Sequence, residues 1–386
     1  MIRLSVAATA LSVAIMILTL AFVSGFQQAI ADKVFSFWGH IRLQQHPSYS
    51  SDLSDEIPSF SNDTVVTAAK NNPAVRQIDL YANKAALLES AANMEGVMLK
   101  GVDQQFSSAR ILPFMQKGEW LSFDTLNPSI VVSSYTARML SLDTGQKAFL
   151  YFMNQEGGAP RVRLVRVSGI YKTAIEEYDR SFAFVDIGLI KKMQGWLQQE
   201  ISGYEITLKD YQTDKTTVNE LMDAIPMSWY ATSIRDIYPN IFDWLELQNV
   251  NRTLIVTIMC IVAVINLISC LLILVLERRK MIGLLKAIGA SNAQVQGIFW
   301  RQGVYICLKG LLWGNIIGLS FCYLQKKFGL IQLDEAAYYI SVAPVKLIWW
   351  EVLAVNVGTF VICFLILLLP SLLVRKMDPV SALRFD

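Results

Sequence analysis

Four long apolar runs constrain this chain more than anything else in it: Leu4 to Phe26, Leu254 to Leu276, Val304 to Leu324 and Leu347 to Leu369. A helix rises 1.5 Å per residue, so each run is long enough to cross a hydrocarbon core about 30 Å thick, and each carries almost no charge. The expectation is an α-helical membrane protein with four transmembrane helices. Only 17% of the residues are charged, against roughly 25% in an average soluble protein, and the deficit sits in these runs. Residues 27–251, between the first and second, are an ordinary mixture of polar and apolar residues, enough for a sizeable core. They predict a large α+β domain inserted between the first two helices.

The basic residues give an orientation. Glu277, Arg278, Arg279 and Lys280, then Lys286 and Arg301, fill the connection after the second run, and Arg375, Lys376 and Arg384 follow the fourth. By the positive-inside rule both stretches are cytoplasmic, which puts both termini inside and the large domain outside. All five cysteines (Cys260, Cys270, Cys307, Cys322 and Cys363) fall in or beside the apolar runs. The exported domain then has no disulfide of its own, which suits a bacterial periplasmic domain with a core big enough to need no staple. The first run is longer than the 7 to 15 residues of a cleaved signal, so it reads as an uncleaved anchor.

Both helices that flank the domain are predicted to extend beyond the bilayer. Phe26, Ile30, Val34 and Phe37 continue the first at helical spacing, and no proline or glycine interrupts Asn240 to Lys280. Ile241, Trp244, Leu245 and Gln248 give the second an outer stripe that must pack on something. The organisation expected is 1–38, first transmembrane helix and stalk; 39–236, the α+β domain; and 237–386, second stalk, remaining helices, a cytoplasmic helix and a tail. Within the domain, 39–110 with 200–236 and an inserted 111–199 read as two subdomains, from strand-like alternation at His40 to Gln44, Ala74 to Tyr81, Gly96 to Lys100, Lys147 to Met153, Arg161 to Ile170, Ser181 to Asp186 and Tyr204 to Leu208.

Catalytic motifs do not emerge. There is no Gly-x-x-x-x-Gly-Lys-Ser/Thr loop, no His-Glu-x-x-His and no Cys-x-x-Cys. His40 and His46, the only histidines, read as structural or solvent-facing rather than metal-binding, so the chain is expected to be no enzyme, with no metal and no nucleic-acid partner. The informative stretch is cytoplasmic: Met281, Ile282, Leu284, Leu285 and Ile288 form a short apolar helix, Gly289 is placed to end it, and Ser291 with Gln294 reads as a capping box opening the next. Such an apolar face needs a partner or the headgroup layer to cover it.

That stretch also carries a resemblance. Glu277 to Ser291 resembles the signature "ERRKEIGILRALGAS" of the FtsX-like, or type VII, ABC transporter permeases, and Asp378 to Arg384 resembles the same superfamily's "xPxxALR" ending. Four spans with a large domain between the first two is also that architecture. Phe22 to Gln27 resembles "VMNGFQ" and Gly39-His40-Ile41 resembles "GHI" of the lipoprotein-releasing LolC/LolE branch. Lys100 to Asp103 resembles its "xGVDP", and Val167 to Thr173 with Glu177 to Ser181 and Phe184-Val185 resembles its "VVGIFKSG…EYDSSLVLV".

The resemblance implies a permease subunit paired with a second one, identical or not, and with a LolD-like ATPase dimer that supplies ATP and Mg. Together they extract lipoproteins from the inner membrane and pass them to a LolA-like periplasmic chaperone. It implies that about 278–290 is the helix that docks into the ATPase, with Glu277, Arg278, Arg279, Lys280, Ile282, Leu285, Lys286, Ala287, Gly289 and Ala290 as coupling residues. The family's chaperone-binding hook falls at Met153, Asn154, Gln155, Glu156 and onward to Pro160, here a short loop that reads equally as an ordinary hairpin turn.

Phe22, Phe26, Leu254, Ile255 and Ile258, at the outer ends of the first two spans, are expected to form the cleft for acyl chains. Lipid-facing or dimer-facing packing accounts for the same residues. Gly310, Gly314 and Gly318 read as a close helix-packing stripe, and Asn266, Asn315 and Asn356 as interhelical hydrogen-bonding groups. Two other functions stay open, MacB-like export and FtsX-like signalling to a periplasmic hydrolase.

Overall fold

The computed structural model describes residues 2–46, 58–91, 93–124, 126–152 and 159–366. The chain forms two compact units: Met1–Ala29, Asp243–Leu333 and Ser341–Asp386 make one, and Ile30–Phe242 with Asp334–Ile340 make the other. Twelve helices lie in the described residues: α1 Ile2–Trp38, α2 Asp63–Asn71, α3 Ser134–Met139, α4 Glu176–Ser181, α5 Ile187–Gln194, α6 Asp214–Ala224, α7 Ile234–Ile237, α8 Pro239–Glu277, α9 Arg279–Ala287, α10 Asn292–Phe328, α11 Glu335–Tyr338 and α12 Trp349–Ile366. The strands are β1 Ile41–Gln45, β2 Ser59–Phe60, β3 Val75–Glu89, β4 Met94–Val102, β5 Met115–Gly118, β6 Ser129–Ser133, β7 Lys147–Phe152, β8 Arg161–Tyr171, β9 Phe182–Asp186, β10 Glu200–Ile201, β11 Gly203–Leu208 and β12 Trp229–Ser233.

The first unit is helical. Stretches of α1, α8 and α10 are long and apolar enough to cross a membrane, and α12 is a shorter apolar helix. Its core joins Val13, Met16 and Ile17 of α1, Leu267 of α8, Ile306 and Leu311 of α10, and Val352 and Val355 of α12. Polar side chains within this apolar packing find partners. Asn356 of α12 donates to the Asn315 side chain at 2.9 Å and receives a bond in return, and Asn266 donates to the Ser5 carbonyl at 3.2 Å.

The second unit is the α+β domain. Its ten-stranded sheet runs β12-β1-β11-β3-β4-β9-β6-β8-β5, with β7 joining β3 to β8. The pairings β3·β4·β9·β6·β8·β7·β3 therefore close into a ring. Strands from 39–110 and 200–236 form one end of the sheet order and strands from 111–199 the other. Closure explains β6, buried at all five positions, because it has a strand on each side and core beneath it. Helices α2 and α6 pack on the β3 and β12 end, and α5 covers β4. Asn62 caps the start of α2 with its side chain, and Gly195, at φ 75°, ends α5 in the left-handed conformation.

Candidate functional site

Three places stand out as candidate sites. The first is α9, an amphipathic helix with a firm C-terminal end. Gly289 lies at φ 97°, where a side chain would be strained, and the Ala290 amide closes on the Leu285 carbonyl at 2.9 Å. Ser291 and Gln294 then form a reciprocal capping box that starts α10, so the attitude of α9 to α10 is set by a short, ordered corner. Arg279, Lys280, Lys286 and Ala287 lie along α9, while Glu277 and Arg278 are exposed at its start. Ile282, expected to face a partner, is only 1% exposed and turns into its own chain. Leu284 at 56% and Ile288 at 75% are the apolar side chains that face out, and Leu285 is half-buried between them.

The second place is where the outer parts of α1, α8 and α12 meet. Phe26 packs edge-on against Trp244 with ring centres 5.4 Å apart. Gln27 donates to the Leu245 carbonyl at 2.8 Å and the Asn249 side chain at 3.0 Å. Glu351 of α12 receives Arg252 at 3.2 Å and the Ser24 hydroxyl at 3.4 Å. Gly25 has no alternative here. A Cβ on it would sit 2.6 Å from the Pro344 carbonyl oxygen and 2.8 Å from the Lys346 nitrogen, because the lead into α12 crosses α1 and donates from the Lys346 amide to the Ala21 carbonyl at 3.0 Å.

The residues expected to form an acyl cleft divide. Phe22 faces Phe321 at 6.5 Å and Phe26 faces Trp244, both half-buried, whereas Leu254 and Ile258 lie open on α8 at 54% and 44% exposure; Ile255 is half-buried. Gly310 and Gly314 of α10 abut α1, where a Cβ would come 2.7 Å from Thr9 and from Val13, and Gly318 meets Ala14 at 3.4 Å.

The third place is the C-terminal turn of α1, which ends in an aromatic socket. Phe37, fully buried, lies 4.9 Å from Tyr178, 5.3 Å from Phe182 and 5.1 Å from Phe184. Trp38 stacks on Tyr238 at 6.0 Å, immediately before α8 begins, and Phe35 stacks on Phe242 at 5.4 Å. Cations close the socket. Lys100 donates to the Phe37 carbonyl and, at 2.6 Å, to Glu205, and Arg110 donates to the Ser36 carbonyl at 3.1 Å while pairing with Asp79 at 2.9 Å. These bonds satisfy carbonyls that a helix end leaves orphaned and set positive charge against its negative pole. Burial pushes the Lys100 ammonium down to about 8, against the pull of the Glu205 carboxylate, and burial raises the Asp79 carboxyl. His40 is structural: its Nδ1 accepts the Leu208 amide at 3.0 Å and its ring lies 4.3 Å from Phe35. Burial, with Arg110 adding to it, lowers its pKa to about 4.

Met153 to Glu156 and the Asp378 to Arg384 tail lie outside the described residues, and Pro160 is exposed. Among the described residues no group of three or more His, Cys, Asp and Glu side chains is placed to hold a metal. Sequence reasoning missed Glu205 as the partner of Lys100, and Arg110 with Asp79 as the neighbouring pair. Only the Lys100 to Asp103 motif pointed near them.

Comparisons with known proteins bear on what these places serve. The family profile of the MacB-like periplasmic core domain matches residues 4–225, and that of the FtsX-like permease C-terminal region matches residues 253–379. A lipoprotein-releasing system transmembrane protein LolC from Xylella fastidiosa is 24% identical over 99% of this chain and 93% of its own length. The LolC of Neisseria meningitidis is 25% identical at the same coverage, and the LolE of Haemophilus influenzae is 22% identical, again over 99% and 93%. Among solved structures, the periplasmic region of MacB from Actinobacillus actinomycetemcomitans aligns with 52% of this chain and 91% of that one at 12% identity, with a TM-score of 0.37, too low to bear on the fold.

Proposed function

The chain belongs to the MacB-like periplasmic core family and carries an FtsX-like permease region, and from that premise we propose that it is the permease subunit of an ABC transporter that extracts lipoproteins from the bacterial inner membrane. The observation that carries this is the full-length likeness to lipoprotein-releasing relatives. In this reading α1, α8, α10 and α12 all cross the membrane, with both termini cytoplasmic and the sheet domain periplasmic. A separate LolD-like ATPase dimer, holding ATP and Mg, docks on α9 through Leu284, Leu285 and Ile288 and the basic residues around them. A second permease subunit completes the pair, and a LolA-like chaperone receives the cargo at the loop 153–160.

The physical problem is large. Each acyl chain of a lipoprotein holds the bilayer by about 0.8 kcal/mol per buried CH₂, so release needs work brought from the cytoplasmic side. Helix α8, 39 residues and about 58 Å long, is long enough to carry that work, and the aromatic socket at the end of α1 gives little room to dissipate it. Leu254 and Ile258, open on α8, are the acyl-chain contacts. The test is depletion of the chain in its own host. Mature lipoproteins should accumulate in the inner-membrane fraction; normal sorting to the outer membrane contradicts the reading. The MacB-like domain favours MacB-like export as the second reading, and that reading predicts normal lipoprotein sorting when the chain is depleted.

A further inference from the structure

The connection between α10 and α12 is hydrogen-bonded in its stem and, separately, at its tip. Gly329, in the left-handed conformation, ends α10. The stem pairs Leu333 with Ser341 and Ala343 with Ile331, both through amide-to-carbonyl bonds of 3.0 Å. The buried side chain of Gln325 holds this stem to α10, donating to the Ala343 carbonyl at 3.0 Å and accepting the Ile331 amide at 2.9 Å. The tip, Asp334–Ile340, belongs instead to the α+β unit. The chain thus leaves the helical unit for seven residues and returns.

What holds the tip is specific. Lys33 of α1 donates to the Tyr339 carbonyl at 2.6 Å and to the Thr173 carbonyl at 2.8 Å, and Lys172 pairs with Glu335. Two non-glycine residues beside these carbonyls stand in the left-handed region, Tyr339 at φ 59° and Ala174 at φ 62°. That conformation is unfavourable for a side chain and persists only where surroundings enforce it. Asp179 enforces it at Ala174, accepting the Thr173 amide at 2.9 Å, the Thr173 hydroxyl at 2.8 Å and the Ala174 amide at 3.0 Å. Lys172, Thr173 and Asp179 all lie in the motif Val167 to Ser181, which none of the three places described above uses in full.

We propose that residues 334–340 are a latched strap, pinned by Lys33 and the Lys172–Glu335 pair, which stays closed through the transport cycle and makes the α10–α12 connection a third load path into the periplasmic domain beside α1 and α8. The transport part of this rests on the lipoprotein-release reading; the latch does not. Both are tested in the full chain assembled with its ATPase in membranes.

In a Lys172→Cys/Glu335→Cys chain, mild oxidation should form the engineered disulfide quickly, equally with and without ATP, and adding Lys33→Met should slow it at least tenfold. Slow formation, or indifference to Lys33→Met, overturns the latch whatever the cargo is. For transport, Lys172→Glu and Glu335→Lys should each lower ATP-driven lipoprotein release severalfold with ATPase activity kept, and the charge exchange Lys172→Glu/Glu335→Lys should restore it. The oxidised disulfide chain should release at no less than the unoxidised rate, because the crosslink replaces the lost ion pair. Release abolished by the disulfide overturns the claim that the strap stays closed, and release unchanged in both single variants overturns its load-bearing part. If even the unaltered complex releases no lipoprotein, the functional reading fails while the crosslinking result still decides the latch.

Discussion

Phe37→Ala is the most informative single change at the α1 socket. Phe37 is fully buried and its ring meets those of Trp38, Tyr178, Phe182 and Phe184 at 4.9 to 5.3 Å. Truncating a buried phenylalanine costs about 3 to 5 kcal/mol, from lost transfer free energy and the cavity left behind, and part of the aromatic pairing is lost with it. The ring sits between β9, α4 and the helix end, all tied by other bonds, so the cavity collapses little and the upper half of that range applies. Domains are stable by only 5 to 15 kcal/mol, so the loss is a large fraction of the whole. The assay is urea unfolding of the full chain in detergent, followed by tryptophan fluorescence, with Phe149→Ala as control because Phe149 is 48% exposed on β7. The control should lose under about 1 kcal/mol. A Phe37→Ala loss as small as the control's refutes the idea of a rigid socket.

Other outcomes follow from the remaining sites. Leu284→Asp and Ile288→Asp place a charge on the outward face of α9 and should abolish co-purification of the ATPase while leaving the chain folded, whereas co-purification unchanged in both would put the contact elsewhere. Gly25→Leu forces a side chain against the Pro344 and Lys346 backbone and should lower the melting temperature of the membrane unit by several degrees, measured by scanning fluorimetry; an unchanged value contradicts the close crossing of α1. His40 carries a pH dependence. Its pKa falls from 6.5 to about 4 on folding, so the unfolded chain binds more protons between those values. The stability His40 gives is complete above pH 6.5 and is lost as pH falls to 4, by about 3 kcal/mol at most. Unfolding of the wild type and His40→Gln compared from pH 7 to 4 should show this slope only in the wild type.

The sequence made some of this legible and hid the rest for physical reasons. Apolar spacing beyond the first run and the absence of helix breakers from Asn240 to Lys280 pointed to the long α1 and α8, because both signals are local. The Ser291–Gln294 box and the Gly289 end were readable for the same reason. Strand β6 escaped because Ser129 to Ser133 is buried throughout and shows no alternation, and two-residue β2 and β10 are too short to leave a pattern. Ile282 and Leu284 have the same apolar character in sequence; only packing decides that the first turns inward. The partners of Lys100 come from β11 and from the end of α1, and nothing in single-sequence spacing links Lys100 to Glu205. The strap was hidden likewise, since Lys33 and Tyr339 lie at opposite ends of the chain.

The central claim is that this chain turns ATP binding on a partner into removal of a lipidated protein from a bilayer. Proteoliposomes holding the chain, its ATPase and a triacylated lipoprotein, with the soluble chaperone outside, measure that directly. The account predicts ATP-dependent transfer of the lipoprotein to the chaperone, lost with Leu284→Asp. ATP hydrolysis at the normal rate with no lipoprotein transferred would contradict it.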